Sequence, residues 1–124
     1  MDIDLQRLEI IGGLAKRMVK AAGRGIELEL TQNRQQAIAG SQFVICQIRV
    51  GGMAARVKDE KIPPRFGVIG QETTGPGGFA KALRTIPVVL SIAKDIQQVA
   101  PGAFLINFTN PAGLITEALN QYSH

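Results

Sequence analysis

Two short runs, the continuously apolar Phe43–Cys46 and the largely apolar residues 103–108, constrain the fold of this chain more than any other feature. A strand that is apolar at every position, rather than at alternate ones, is typical of a parallel sheet covered on both faces. Parallel strands need a crossover between them, and residues 79–99 carry apolar side chains at helical spacing. The pattern therefore predicts a strand, a helical crossover and a second, parallel strand.

The segments before this unit continue the alternation. Residues 5–22 carry a helical stripe that Asp4 can cap at its start and Gly23 at its end. Residues 26–30 alternate apolar and acidic side chains, which predicts a half-exposed strand. A short helix is predicted to follow over residues 34–39.

Glycine and proline punctuate the second half of the chain. Residues 51–78 form a glycine-rich connection with a possible helix near residues 54–60, and residues 75–78 are predicted to be a rigid turn before the long helix. Pro87 predicts a kink or a boundary in that helix. Asn110-Pro111 predicts a capping residue followed by proline at the first position of a last helix, on which Tyr122 is expected to pack.

These elements predict an α/β fold: a Rossmann-like, doubly wound parallel sheet in one domain over residues 1–124. No run approaches the ~20 apolar residues that cross a bilayer. The net charge of +4 comes from interspersed lysines, arginines and acids, which favours a solvated surface over nucleic-acid binding. The single cysteine, Cys46, is expected to be core. We expect a cytoplasmic protein with no membrane or nucleic-acid partner.

Ligands of such sheets bind at the carboxyl ends of the strands. Near the chain start, Asp2 could accept hydrogen bonds from a ribose, or it could be an exposed terminal residue. After the first apolar run, a glycine pair lets the backbone approach a ligand, and Arg49 and Arg56 offer forked donors for phosphate. After the second run, Asn110 could cap the helix or reach into a cleft.

Five segments, in this order, decide between these possibilities. They are IRVGGMAAR at 48–56, DEKIP at 59–63, GVIGQETTGPGG at 67–78, RTIP at 84–87 and LINFTNPAG at 105–113. Together they resemble the family 4 glycoside hydrolases over nearly the whole chain. Within that family, the VGG and NFTNPAG segments are most similar to members that act on 6-phospho-β-glucosides.

The resemblance implies hydrolysis by NAD-assisted oxidation and elimination, which differs from the paired-carboxylate chemistry of most glycosidases. NAD would take a hydride from the sugar C3, and a divalent metal, commonly Mn²⁺, would assist removal of the C2 proton. The aglycone would leave, water would add and the hydride would return. The substrate would be a phosphorylated disaccharide or glucoside, and the full-length protein is expected to be a homo-oligomer.

The resemblance also implies roles for single residues. Arg56 would bind the substrate's 6-phosphate and Asn110 its hydroxyls, while Glu72 would be catalytic, near the reacting face. The cofactor would be bound by four residues: Asp2, Arg49, Val50 and Asn107. Asp2 would hold the adenosine ribose, and the other three would line the cofactor cleft, mainly through their backbone.

Two parts of the family pattern do not match this chain. The family's first strand and glycine-rich pyrophosphate turn would precede Asp2, so the sheet is expected to be incomplete. Its metal-binding cysteine and histidine would follow the end of the chain, and neither Cys46 nor His124 corresponds to them. No metal ligand is therefore predicted here. The chain is expected to be a partial NAD-binding domain that is inactive alone.

Two other functions remain open at this point. A nicotinamide-dependent 2-hydroxyacid dehydrogenase is similar in having a strand that ends in Asn-Pro after a Rossmann-type crossover, although its arginine-bearing substrate loop and histidine are not visible. A non-catalytic remnant that survives by binding a partner is the other possibility. An assay of the full-length protein that compares oxidation of the sugar C3 with oxidation of a hydroxyacid would distinguish the two enzymes.

Overall fold

The structure is a computed structural model that describes residues 1–123 of the chain. It contains two compact units, Met1–Ala39 and Gly40–His124, which are described separately. His124, for which no role is predicted, lies outside the described residues. The prediction of one domain over residues 1–124 stays a prediction.

The first unit is built on helix α1, Leu5–Ala22. The Asp4 side chain accepts a hydrogen bond from the backbone N–H of Arg7 at 3.0 Å, and Gly23 ends the helix in the left-handed region at φ 61°. Both predicted caps are confirmed. The short helix α2, Arg34–Ile38, begins after Asn33, whose side chain accepts from Gln36 N–H.

The strand predicted over residues 26–30 is wrong, because this segment has no regular secondary structure. A strand needs a hydrogen-bonded partner, and the only sheet among residues 1–123 lies in the second unit. The segment packs against α1 through its side chains instead. The Leu30 methyl groups fill the space that a side chain on Gly12 would occupy.

The second unit contains the predicted parallel pair. Strand β1, Phe43–Cys46, pairs with β2, Phe104–Asn107, and the register places Phe43 beside Phe104 and Cys46 beside Asn107. The two phenylalanine rings stack with centroids 5.7 Å apart. The α/β class and the parallel sheet are therefore confirmed.

The expected burial of both sheet faces is wrong. Phe43 is 60% exposed, Ile45 is 67% exposed and Phe104 is 69% exposed, whereas Cys46 is buried. Side chains alternate between the faces of a strand, so successive apolar residues end on opposite sides. In the described part of the chain the sheet has only two strands, and one of its faces remains in contact with solvent.

Three helices complete this unit: α3, Gly52–Lys61; α4, Gly75–Val99; and α5, Ala112–Tyr122. Helix α4 contacts both α3 and α5. Its buried face includes Val89, and that of α5 includes Ile115, both fully inaccessible to solvent. A 3₁₀ turn, Pro63–Phe66, follows α3, so much of the glycine-rich connection over residues 51–78 has regular structure.

Helix α4 begins earlier than its hydrophobic pattern indicated. Residues 75–78 form its first turn rather than a separate rigid turn, with Pro76 near the N-terminus, where the absent proline N–H costs no helical hydrogen bond. Pro87 lies inside α4 without ending it, so the predicted boundary there is wrong. The N-terminal turn is consequently packed against the connection that precedes it.

The start of α5 differs from its prediction by one residue. Pro111, in extended backbone with φ −74° and ψ 110°, is the capping residue, and the helix begins at Ala112. Asn110 therefore lies one residue before the cap. Tyr122 is 69% exposed, so its predicted packing role is also wrong. Among residues 1–123, no helix has the length and apolar character needed to cross a membrane.

We expect Gly77→Ala to lower the free energy of unfolding by about 1–3 kcal/mol. A β-carbon on Gly77 would lie 2.3 Å from the Gln71 carbonyl oxygen and 2.6 Å from that of Asp59, so backbone would have to move. Gly113→Ala is the matched control, because nothing lies within 4 Å of its β-carbon position. It should leave stability unchanged or raise it by up to about 1 kcal/mol. Urea unfolding monitored by circular dichroism measures both, and equal stabilities would contradict the close packing.

Candidate active site

The Thr109 side chain joins the ends of the two strands. Its hydroxyl donates to the Cys46 carbonyl oxygen at 3.3 Å and accepts from the Ile48 N–H at 3.0 Å. Thr109 is 1% exposed, and Cys46 beside it is buried and free, as expected of a core cysteine. The chain segments that leave β1 and β2 are thus fixed side by side at the carboxyl edge of the sheet.

The predicted ligand residues Asn107 and Asn110 lie at this edge, on the β2 side. The Asn107 side chain accepts from Thr109 N–H at 2.9 Å, and its amide donates to the Thr109 carbonyl at 3.3 Å. That amide stabilises its own turn, so a ligand would meet mainly backbone here. Asn110 is exposed immediately after this turn. A cavity of about 250 Å³ between β2 and α5 is also lined by Asn107.

On the β1 side, the predicted residues Arg49 and Val50 precede a glycine pair. Gly51 has φ 82° and Gly52 has φ 62°, conformations that residues with a β-carbon rarely adopt. A β-carbon on Gly51 would also lie 2.6 Å from that of Ala55, whereas the space beside Gly52 is open. The turn therefore presents accessible backbone at the start of α3.

Four charged residues, Arg49, Arg56, Glu72 and Lys81, converge near this turn, and we refer to them as the Glu72 cluster. Glu72 Oε1 accepts from Arg49 Nη1 at 2.8 Å and from Lys81 Nζ, and Glu72 Oε2 lies 3.3 Å from Arg56 Nη2. These residues come from the β1 exit, α3, the segment before α4, and α4 itself. Arg56 and Glu72, both predicted site residues, are thereby in contact.

The cluster keeps the Glu72 carboxylate ionised. The Lys81 ammonium is the main cause that lowers the pKa of Glu72 from 4.5 to about 2, against the opposing effect of burial, and Arg49 lowers it further. A carboxylate with so low a pKa is a weak base and no acid at neutral pH. The predicted catalytic role of Glu72 near the reacting face stays a prediction. Its low pKa favours a role as a fixed negative charge.

Further acids surround the arginines. Glu60 accepts from Arg56 Nε at 2.7 Å and, together with Glu72, raises the pKa of Arg56. The cluster and Glu60 thus carry three positive and two negative charges, which leaves a surplus positive charge. Behind them the buried Asp59 receives two hydrogen bonds from Arg84, at 3.0 Å and 2.5 Å, which join α3 to α4.

The sequence interpretation did not include Lys81, Asp59 or Arg84 in the site. A signal for Lys81 was present, because it shares a helical stripe with the buried Thr85 and Val89 at intervals of four residues. A lysine on a buried stripe needs a partner of opposite charge. Asp59 and Arg84 are 25 residues apart in the sequence, so no local pattern indicated that they form a pair.

Asp2 belongs to the first unit. Its carboxylate accepts two hydrogen bonds from Arg7, at 2.7 Å and 2.6 Å, and a third from Asp4 N–H at 3.0 Å. The Arg7 hydrogen bond is the main cause that lowers the pKa of Asp2 to about 2. Both carboxylate oxygens therefore have protein donors. No group of three potential metal ligands occurs within residues 1–123.

The low pKa of Glu72 predicts a pH-dependent contribution to stability. Because its folded pKa is depressed, the contribution is present above about pH 4.5 and is lost as pH falls toward 2. We expect Glu72→Gln to lower the free energy of unfolding by about 1–3 kcal/mol at pH 7, after allowing for solvent screening at the partly exposed arginines. Urea unfolding at pH 7 and pH 3 should show the difference from wild type shrinking at the lower pH; a constant difference would contradict the assignment.

Comparison with known proteins places the chain in a family. Its sequence is 58% identical over 119 residues to a probable 6-phospho-β-glucosidase of Bacillus subtilis, covering 96% of this chain and 27% of that protein. It is 41% identical over 117 residues to a 6-phospho-α-glucosidase of Lacticaseibacillus paracasei, covering 94% of this chain and 26% of that one. The chain therefore spans about a quarter of the length of these relatives.

The fold is similar to that of a solved structure from the same group. The 6-phospho-β-glucosidase of Thermotoga maritima, determined with manganese, NAD⁺ and glucose 6-phosphate, superposes with a TM-score of 0.91 at 39% identity. The match covers 98% of this chain and 28% of that structure. The model of the family 4 glycosyl hydrolases matches residues 1–124, so the chain belongs to that family.

Proposed function

We propose that this chain supplies the NAD-binding region and part of the substrate site of a 6-phospho-β-glucosidase. The observation that carries the proposal is the surplus positive charge of the Glu72 cluster at the carboxyl edge of a parallel sheet. Ligands of such sheets bind at this edge, and guanidinium forks match phosphate oxygens. The 58% identity to the Bacillus subtilis β-glucosidase, against 41% to the Lacticaseibacillus paracasei α-glucosidase, supports the β-anomer, whereas the 39% identity to the Thermotoga maritima β-glucosidase does not separate the two anomers.

Arg56 is the proposed phosphate ligand. Its side chain is 36% exposed, so a ligand can reach it, and Glu60 and Glu72 hold it from two directions. An arginine that is already oriented loses less conformational entropy when it binds. The Thermotoga maritima structure contains glucose 6-phosphate, which supports a phosphorylated glucoside as the substrate of the present protein. Asn110, exposed at the same edge, is the proposed ligand of the sugar hydroxyls.

The backbone at the strand ends fits a dinucleotide. Gly52 leaves open space at the turn after Val50, and Asn107 offers backbone at the end of the neighbouring strand, while Arg49 adds a positive charge. Bound NAD would accept a hydride from the sugar and return it. Asp2 is the proposed ribose ligand, in competition with Arg7. We keep the whole chain, residues 1–124, as one partial NAD-binding domain in this proposal.

The proposed metal requirement concerns residues outside this part of the chain. Mn²⁺ is the proposed ion because the Thermotoga maritima enzyme was determined with manganese. No group of suitable ligands exists among residues 1–123, so the described residues do not fit a metal and we derive no step through one. For this reason we expect the chain alone to be inactive.

We also propose a cellular location, an oligomeric state and the absence of two classes of partner. We place the full-length protein in the cytoplasm as a homo-oligomer, with neither a membrane nor a nucleic acid as partner. The net charge of +4 comes from interspersed basic and acidic residues, which supports the absence of a nucleic-acid partner. The family assignment leaves no observation that favours a 2-hydroxyacid dehydrogenase or a non-catalytic remnant.

In a full-length protein that contains this chain, we expect Arg56→Lys to lower kcat/KM for a chromogenic 6-phospho-β-glucoside about 10- to 100-fold, with NAD and manganese supplied. Lysine keeps the charge but loses the forked geometry. The affinity for unphosphorylated glucose should not change. Arg65→Lys, at an exposed arginine of the 3₁₀ turn, is the matched control and should behave as wild type.

If Arg56→Lys loses affinity for glucose 6-phosphate and for glucose to the same extent, Arg56 does not bind the phosphate. If the wild-type protein fails to hydrolyse any 6-phospho-glucoside, the proposed function itself is wrong.

Asp2 and Arg7 offer a test of the cofactor site. If Asp2 binds the ribose, Asp2→Asn should weaken NAD binding about tenfold, because the amide loses the charge-assisted hydrogen bonds. Arg7→Met should leave NAD binding unchanged or strengthen it, because it releases the carboxylate. Calorimetric titration of both full-length variants measures this. Unchanged affinity for NAD in Asp2→Asn would show that Asp2 only pairs with Arg7.

A further inference from the structure

We propose that Lys81 is a positioning residue for the phosphate site: it fixes the Glu72 carboxylate, which in turn fixes Arg49 and Arg56. The inference rests on the proposed function and extends it to a residue with no predicted role. Lys81 acts through Glu72 and does not touch the substrate, because its side chain is only 4% exposed.

The burial of Lys81 is the first observation. Lysine is almost never buried without a partner, because removing an ammonium from water is costly. The Lys81 ammonium donates to Glu72 Oε1, and Glu72 is itself only 18% exposed. Buried ion pairs of this kind are often no more stabilising than apolar residues of the same volume. The pair is therefore better explained by what it holds in place than by stability.

The backbone on both sides of Glu72 is the second observation. The carbonyl oxygen of Gln71 and the carbonyl of Thr73 lie so close to the first turn of α4 that only glycine fits at positions 77 and 78. A β-carbon there would approach these atoms to 2.3 Å and 2.4 Å. Helix α4 thus fixes the backbone of Glu72 through its glycines and the carboxylate through Lys81.

The two arginines complete the chain of contacts. Arg49 reaches Glu72 from the turn after β1, and Arg56 reaches it from α3, so neither shares a helix or strand with Glu72. Lys81 and Arg49 share the same oxygen, Oε1, while Arg56 faces Oε2. Removing the ammonium would free the carboxylate to rotate. Both guanidinium groups would then lose a fixed partner.

The experiment compares four forms of the full-length protein with wild type: Lys81→Met, Glu72→Gln, the double variant, and Lys94→Met as control. Lys94 is an exposed lysine on the same helix. We expect Lys81→Met to raise KM for the 6-phospho-β-glucoside about tenfold with kcat little changed. Its calorimetric affinity for glucose 6-phosphate should fall by the same factor. Lys94→Met should match wild type, and Lys81→Met should add little to Glu72→Gln.

Other outcomes overturn the proposal. A Lys81→Met variant that binds glucose 6-phosphate as tightly as wild type shows that Lys81 does not position the site. A loss confined to kcat assigns it a different role, and a full effect on the Glu72→Gln background shows that it does not act through Glu72.

Folding and activity are separated by the same set of variants. If Lys81→Met does not fold, we compare the double variant with Glu72→Gln, because the double variant contains no unpaired buried charge. Equal affinities of these two variants for glucose 6-phosphate support the proposal. Unequal affinities contradict it. If wild type binds glucose 6-phosphate without turnover, the proposed function fails while the affinities still decide the role of Lys81. If wild type does not bind it, both proposals are wrong.

Discussion

The hydroxyl of Thr109 holds together the edge on which the rest of the site depends. It donates to the end of β1 and accepts from the residue that leaves β1, although it belongs to the turn after β2. A parallel pair of four-residue strands has few ladder hydrogen bonds of its own. The two hydrogen bonds of the Thr109 hydroxyl therefore fix the exits of both strands, and the turns that carry Arg49 and Asn110 start from fixed positions.

The second constraint is the close approach of α4 to the segment before it. Glycines at positions 77 and 78 remove the side chains that would keep the two backbones apart, and Glu72 lies in the segment that they admit. A packing requirement thus brings the carboxylate to the edge that Thr109 fixes. The glycines of this region therefore permit close packing of two backbone segments.

Sequence reasoning recovered what local pattern determines. Local sequence patterns predicted both strands and four of the five helices, and the helix near residues 54–60 was predicted only as a possibility. Sequence reasoning failed where a partner at long range decides the outcome. Residues 26–30 alternate like a strand but have no ladder partner among the described residues, and the exposure of Ile45 depends on whether another element packs against that face of the sheet. The prediction that Asn110 caps α5 is wrong by one residue, because Pro111, whose backbone is extended, is the capping residue.

The ionisation state of Glu72 follows from the charges around it. Three cations so close together would repel one another and would be costly to hold near a partly buried surface. An ionised carboxylate among them offsets that repulsion and orients the arginines before a ligand arrives. Because Glu72 and Glu60 together leave one positive charge uncompensated, the cluster still attracts an anion. Because the Lys81 ammonium and Arg49 lower the pKa of Glu72 to about 2, its carboxylate stays ionised at neutral pH and provides a fixed negative charge between the arginines.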